Sequence, residues 1–141
     1  MPRSLLLVLL ALAACGRPDP IPTGSTCPPD NTLTYDNFGA PFMESYCTRC
    51  HDQDKHGAER HGAPIYHDFD TLYGILVVAS HVDREAAAGP NAINRLMPYD
   101  GDKPTDDERY QLGQWLACEI DALSAVDAGV PADAGPPDAG P

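Results

Sequence analysis

The chain has 141 residues and a formal net charge of −12, and its aromatic residues, 7% of the total, lie between Tyr35 and Trp115. A chain this acidic lacks the basic footprint that nucleic-acid binding needs and repels anionic headgroups, so a membrane could hold it only through an anchor. The same balance suits a protein partner with a basic docking face as well as it suits plain solubility. Setting aside the two ends described below leaves about 90 to 100 residues, enough for one small domain in which a bound cofactor would supply much of the core.

Residues 1–14 read as an export signal. Arg3 gives it a short positive start, and Leu5–Ala14 is an apolar run too short to span a bilayer. The run ends in Leu12-Ala13-Ala14-Cys15, which resembles the bacterial lipobox. That resemblance implies removal of the signal before Cys15, lipidation of the Cys15 thiol and a lasting membrane anchor. An ordinary secretory signal with a chance cysteine is the competing reading. Gly16 stands where, by the same resemblance, an Asp would favour inner-membrane retention, so the outer membrane of the cell envelope is favoured. Residues 15–34 then form a lipid-anchored lead-in linker.

Phe38, Phe42 and Tyr46 recur every four residues, the apolar face of a helix that runs directly into Cys47. Pro41 fits such a helix only in its first turn, where a missing N–H has no partner to lose. Next comes Cys47-Thr48-Arg49-Cys50-His51, the Cys-x-x-Cys-His signature of covalent c-type haem. Two thiols about one helical turn apart can add across the two porphyrin vinyl groups, and the adjacent imidazole then reaches the iron as proximal ligand. Two rivals compete for the motif. A thioredoxin-like redox pair needs a βαβ setting, and no period-two run is present to supply one. A zinc site would have to recruit His56, His61 or His67 from the polar loop that follows.

The second iron ligand is sought by elimination. Met43 lies one turn before Cys47 on the proximal side, whereas Met97 sits in a loop punctuated by Gly89-Pro90, Pro98, Gly101 and Pro104. An isolated apolar Met in a loop wants an explanation beyond core filling, and Pro98 stiffens the strap that carries it. His81 and the three loop histidines are the alternatives, and a His/His site would have the lower potential.

Asp70 or Thr71 caps a helix expected over 70–88, with Leu72, Ile75, Leu76, Ala79 and Val82 as its apolar stripe and Gly89-Pro90 as its stop. Thr105-Asp106-Asp107-Glu108 reads as a capping box, opening a closing helix that carries Leu112, Trp115, Leu116 and Ile120. The fold is therefore expected to be all-α. Of five cysteines, Cys15 is claimed by the lipid and Cys47 and Cys50 by the haem, which leaves Cys27 and Cys118 to pair in an oxidising compartment. From residue 122 the chain turns to Pro, Gly, Ala and Asp, with Asp-Ala-Gly repeated, and it reads as a disordered tail.

The order of these features over Tyr35 to Ile120 resembles a class I cytochrome c domain: a helix, Cys47-x-x-Cys50-His51, a middle helix, Met97-Pro98, and a closing helix with Trp115-Leu116. It is also similar to the monohaem lipoprotein cytochromes of Gram-negative bacteria. The resemblance implies a small helical haem domain (35–121) whose first and last helices cross, with Phe42 or Tyr46 near Leu112 and Trp115. The His-rich loop and the Cys27–Cys118 pair depart from the family pattern. With His51 and Met97 as axial ligands, the expected function is single-electron transfer between redox protein partners at the cell envelope, without catalysis. A gas- or peroxide-binding role after Met97 dissociation, and a structural haem subunit of an envelope complex, are the alternatives.

Overall fold

A computed structural model describes residues 20–129. The expected export signal, Cys15 and the end of the expected tail lie outside the described residues. Within them the chain is helical, and its one extended pairing is an isolated antiparallel bridge between Ala88 and Ile93. No helix among the described residues is long and apolar enough to cross a membrane.

A π-helical stretch, Tyr35–Gly39, runs straight into helix α1, Ala40–Tyr46. The start is fixed by a reciprocal cap: Thr34 Oγ1 accepts from the Asn37 N–H while the Asn37 side chain accepts from the Thr34 N–H. Pro41 is the second residue of α1 and, lacking an N–H, donates no backbone hydrogen bond at the point where the π-helical stretch passes into α1. Phe42 and Met43 are buried, and the rings of Phe38, Phe42 and Tyr46 follow one another along the helix at 5.5 and 5.0 Å.

Helix α4, Asp106–Gly129, opens on the expected capping box, with Thr105 Oγ1 accepting from the Glu108 N–H and the Glu108 carboxylate accepting from the Thr105 N–H at 2.7 Å. The same carboxylate accepts the Tyr46 hydroxyl at 2.9 Å, tying the end of α1 to the start of α4. The π-helical stretch packs on α4 where Phe38 meets the fully buried Trp115, ring centroids 6.2 Å apart. Gly39 makes that approach possible: a Cβ there would stand 2.8 Å from Cε2 and Cη2 of Trp115. Gly39→Ala should therefore overpack this contact and lower stability by about 1 to 3 kcal/mol, read as a lower denaturant midpoint with an unchanged slope.

The middle helix departs from expectation. Thr71 is the cap, accepting from the Gly74 N–H, but the helix breaks into α2, Leu72–Leu76, and α3, Ala79–Ala86. Val78 leaves helical geometry at the junction (φ −125°, ψ 23°), where two consecutive β-branched residues weaken the ladder. The break does not disperse the apolar stripe: Ile75, Ala79, Val82 and Ala86 are all buried in one core with Leu112, Trp115 and Leu116.

Both edges of the expected domain shift. The lead-in is not a bare linker. Thr23 is fully buried, its N–H donates to Asp83 at 2.9 Å and its hydroxyl to the same carboxylate, while Asn94 donates to the Ile21 carbonyl. Cys27 and Cys118 are disulfide-bonded, with Cα atoms 4.5 Å apart across a sequence separation of 91. A loop that long is worth about 4 to 5 kcal/mol in the chain-entropy description. At the other end α4 continues to Gly129 rather than stopping near Ile120. Ile120, Leu123 and Val126 are exposed there, so the extension rests on propagation from the packed part of the helix and not on burial.

Candidate cofactor site

The Cys47-x-x-Cys50-His51 motif is the irregular end of α1. The Cys47 N–H still reaches Met43 O at 2.8 Å, but Cys47 itself has left the helix, and the Cys50 and His51 N–H groups fold back onto Cys47 O at 3.1 and 3.0 Å. This turn brings Cys47, Cys50 and His51 to a single cavity of about 640 Å³. Met97 and Pro98 line the same cavity from the strap between α3 and α4, and Val82 and Ala86 line it from α3. All four sequence-expected cofactor residues therefore converge on one space whose size falls in the usual range for cofactor sites.

His51 is held from three directions. Its Nδ1 lies 3.1 Å from the carbonyl of His67, which can only accept, so the proton is on Nδ1 and the Nε2 lone pair is left for a metal. Its ring stacks on Phe69 at 4.4 Å and 12°, and its own carbonyl accepts from the Phe69 N–H at 2.8 Å. Burial pushes the imidazole below its ordinary pKa, against the opposing pull of the His67 carbonyl, which favours the neutral ring a metal requires.

Cys47 and Cys50 carry free thiols, not joined to each other. Burial pushes the Cys47 thiol up to about 12, partly offset by the nearby Arg109 charge. A redox or metal-binding cysteine needs an easily formed thiolate, so this environment opposes a thioredoxin-like role. The zinc alternative also lacks its ligand set: among the described residues no group of three His, Cys, Asp or Glu side chains is gathered to hold a metal ion. Haem iron needs only two protein ligands and is untouched by that criterion.

Met97 is clamped through its backbone. Its N–H donates to Glu85 O at 2.9 Å, and its carbonyl accepts from Arg109 Nη1 at 2.9 Å. Arg95 braces the strap through a two-pronged pair with Asp106, at 3.1 and 2.6 Å, and Arg49 of the motif pairs with Asp100 just beyond Pro98. The Met97 side chain remains 37% exposed within this fixed strap.

Of the three loop histidines, His56 stays outside the cavity, whereas His61 and His67 line it together with His81 of α3, the rings of His67 and His81 edge to face at 5.2 Å. Two residues of the site had no place in the sequence reading. Arg60, 6% exposed, ends a 3-10 turn, Gly57–Arg60, and holds the loop after the motif. Arg109, 2% exposed, holds the strap. The position of Arg109 offered a signal: it lies three and seven residues before Leu112 and Leu116, on the buried stripe of α4.

Compared with protein-family profiles, curated proteins and solved structures, the chain has no match.

Proposed function

We propose that this chain is a monohaem c-type cytochrome that carries single electrons between redox proteins in the bacterial cell envelope. The observation that carries the reading is the convergence of Cys47, Cys50, His51 and Met97 on one cavity. The donor set fits haem: two free thiols for the vinyl groups, a neutral imidazole with Nε2 available, and a thioether in a rigid strap. A haem held there supplies an iron that exchanges one electron at a time between ferrous and ferric states. The chain's own part is to fix that iron. Cys47 and Cys50 would bind the porphyrin covalently, His51 and Met97 would ligate, and Phe69, Val82 and Ala86 would keep water from the ring. If His51 and Met97 both ligated the iron, no position would be left on it for a substrate, which favours transfer over catalysis. Cys15 would anchor the protein by its lipid, the outer membrane being favoured, and an acidic surface would steer in a partner with a basic docking face.

The experiment is a haem stain on a denaturing gel followed by spectroscopy of Met97→Ala. Haem should migrate with the polypeptide, and the substitution should abolish the weak red-edge band of the oxidised protein that marks thioether ligation while leaving haem attached. Zinc without haem stain would sink the reading. A second reading, gas or peroxide binding after Met97 dissociation, is favoured by the exposure of Met97 and by His81 in the same cavity. Rapid carbon monoxide binding by the untreated reduced protein would select it over the carrier.

A further inference from the structure

The guanidinium of Arg60 has five N–H donors, and each has an acceptor. Nε donates to Ala63 O at 3.3 Å, Nη1 to Asp52 O and Asp68 Oδ1 at 2.8 Å each, and Nη2 to Pro64 O at 2.7 Å and His67 O at 3.1 Å. Four of the five acceptors are backbone carbonyls, so a buried cation is compensated by one carboxylate and a ring of oriented dipoles. Its placement relative to His51 is what matters. Asp52 follows His51 directly, Asp68 precedes the Phe69 that stacks on the His51 ring, and His67 O is the acceptor of the His51 Nδ1 proton. One side chain thus holds the residue after the imidazole, the residue before its stacking partner, and the oxygen that sets its tautomer.

The shared carbonyl has an electronic consequence. A carbonyl oxygen can accept two hydrogen bonds, but one already drawn towards a cationic donor is a poorer acceptor for the second. The weaker the pull on Nδ1–H, the less anionic character the ring has and the less it stabilises the ferric state over the ferrous. Hydrogen bonding behind an axial ligand is one of the protein's levers on haem potential.

We propose that Arg60 is a positioning residue for the proximal imidazole: by sharing the His67 carbonyl with His51 Nδ1–H it fixes the ring and holds the iron's reduction potential up. The inference rests on the haem reading above and deepens it. Lysine cannot replace arginine here, because an ammonium has three donors and no planar fork to meet five acceptors.

The test compares wild type, Arg60→Gln and Arg60→Lys as haem-loaded proteins. Haem should be attached in all three. Both variants should shift the equilibrium towards ferric iron about tenfold, a fall of about 59 mV for a one-electron couple. In a Met97→Ala background, where the sixth ligand is gone, the iron–His51 stretching frequency in resonance Raman should rise in both, reporting a stronger Nδ1 hydrogen bond. A wild-type potential and frequency in Arg60→Lys would overturn the proposal, since charge alone would then suffice. Unchanged values in Arg60→Gln would overturn it too. If neither Arg60 variant accumulates, Asp68→Asn carries the test: it leaves the guanidinium's hold on His67 O unopposed, so the frequency should fall, and an unchanged frequency overturns the idea. A wild-type protein without covalent haem would fail the haem reading itself and take this inference with it, whereas attached haem with unmoved potentials fails Arg60 alone.

Discussion

Purified free of haem, the Cys47→Ser/Cys50→Ser chain is expected to be largely unfolded at room temperature, with little helical circular dichroism and no sharp denaturant transition. The reason is the size of the cavity relative to the core around it. The space lined by the motif and the strap is about 640 Å³. A dry core void costs about 24 cal/mol per Å³, so if even about a third of that space must stay unwetted the penalty is about 5 kcal/mol. The whole stability of a small domain is about 5 to 15 kcal/mol. The core that must bear this is thin: of the residues packed in it, Ala79, Ala86 and Ala87 bring only methyl groups, and Val82 and Ala86 themselves face the cavity. The Cys27–Cys118 disulfide limits expansion of the unfolded chain but lines no part of that cavity. A cooperative transition with full helix content in the haem-free chain would show that the protein folds first and fills later, contrary to this expectation.

The capping box at Thr105 and Glu108, the Pro41 first turn and the Cys-x-x-Cys-His turn are local: each involves residues a few positions apart, and their chemistry is written in their side chains. The Cys27–Cys118 bond is distant, yet elimination among five cysteines was enough to find it. What escaped was held by backbone oxygens. The partner of His51 Nδ1 is the carbonyl of His67, and a carbonyl is present at every position, so nothing in the sequence singles it out. Arg60 sits among Asp, Lys, Glu and His, a composition that reads as a solvated loop, although four of its five partners are main-chain groups. The lead-in escaped for a related reason: Thr23 is bound to Asp83, 60 residues away, and a Pro-rich context masks a docked segment. The break at Val78 and the run of α4 to Gly129 reflect the opposite case, in which local structure departed from what periodicity read as one helix and composition read as a tail.

Arg109→Met is expected to destabilise the protein by about 3 to 5 kcal/mol and, beyond that, to loosen Met97. Replacing a buried ion pair with apolar groups is often neutral, but only when both partners go. Here the partners cannot go, because they are main-chain oxygens. Arg109 Nη1 reaches Ala86 O at 2.6 Å, Asn94 O at 2.9 Å and Met97 O at 2.9 Å, gathering the end of α3 and two points of the strap onto α4. The Ala86 carbonyl is at the negative end of the α3 dipole, so the guanidinium also neutralises a helix terminus. A methionine, whose end reaches only as far as the arginine Nε, would leave three carbonyls without that donor, at about 1 to 3 kcal/mol for each one that stays buried. The buried Nε has no partner, so its loss costs nothing and the effect is concentrated at Nη1. Gly39→Ala is the proper control, since it weakens the fold at Trp115 without touching the strap. Compared under conditions where both variants remain folded, Arg109→Met should lose much of the thioether–iron band and bind carbon monoxide faster, whereas Gly39→Ala should keep the wild-type spectrum. A destabilised Arg109→Met with an intact band would confine Arg109 to stability and leave the other contacts of the strap, Met97 N–H to Glu85 and Arg95 to Asp106, as what fixes the sulfur.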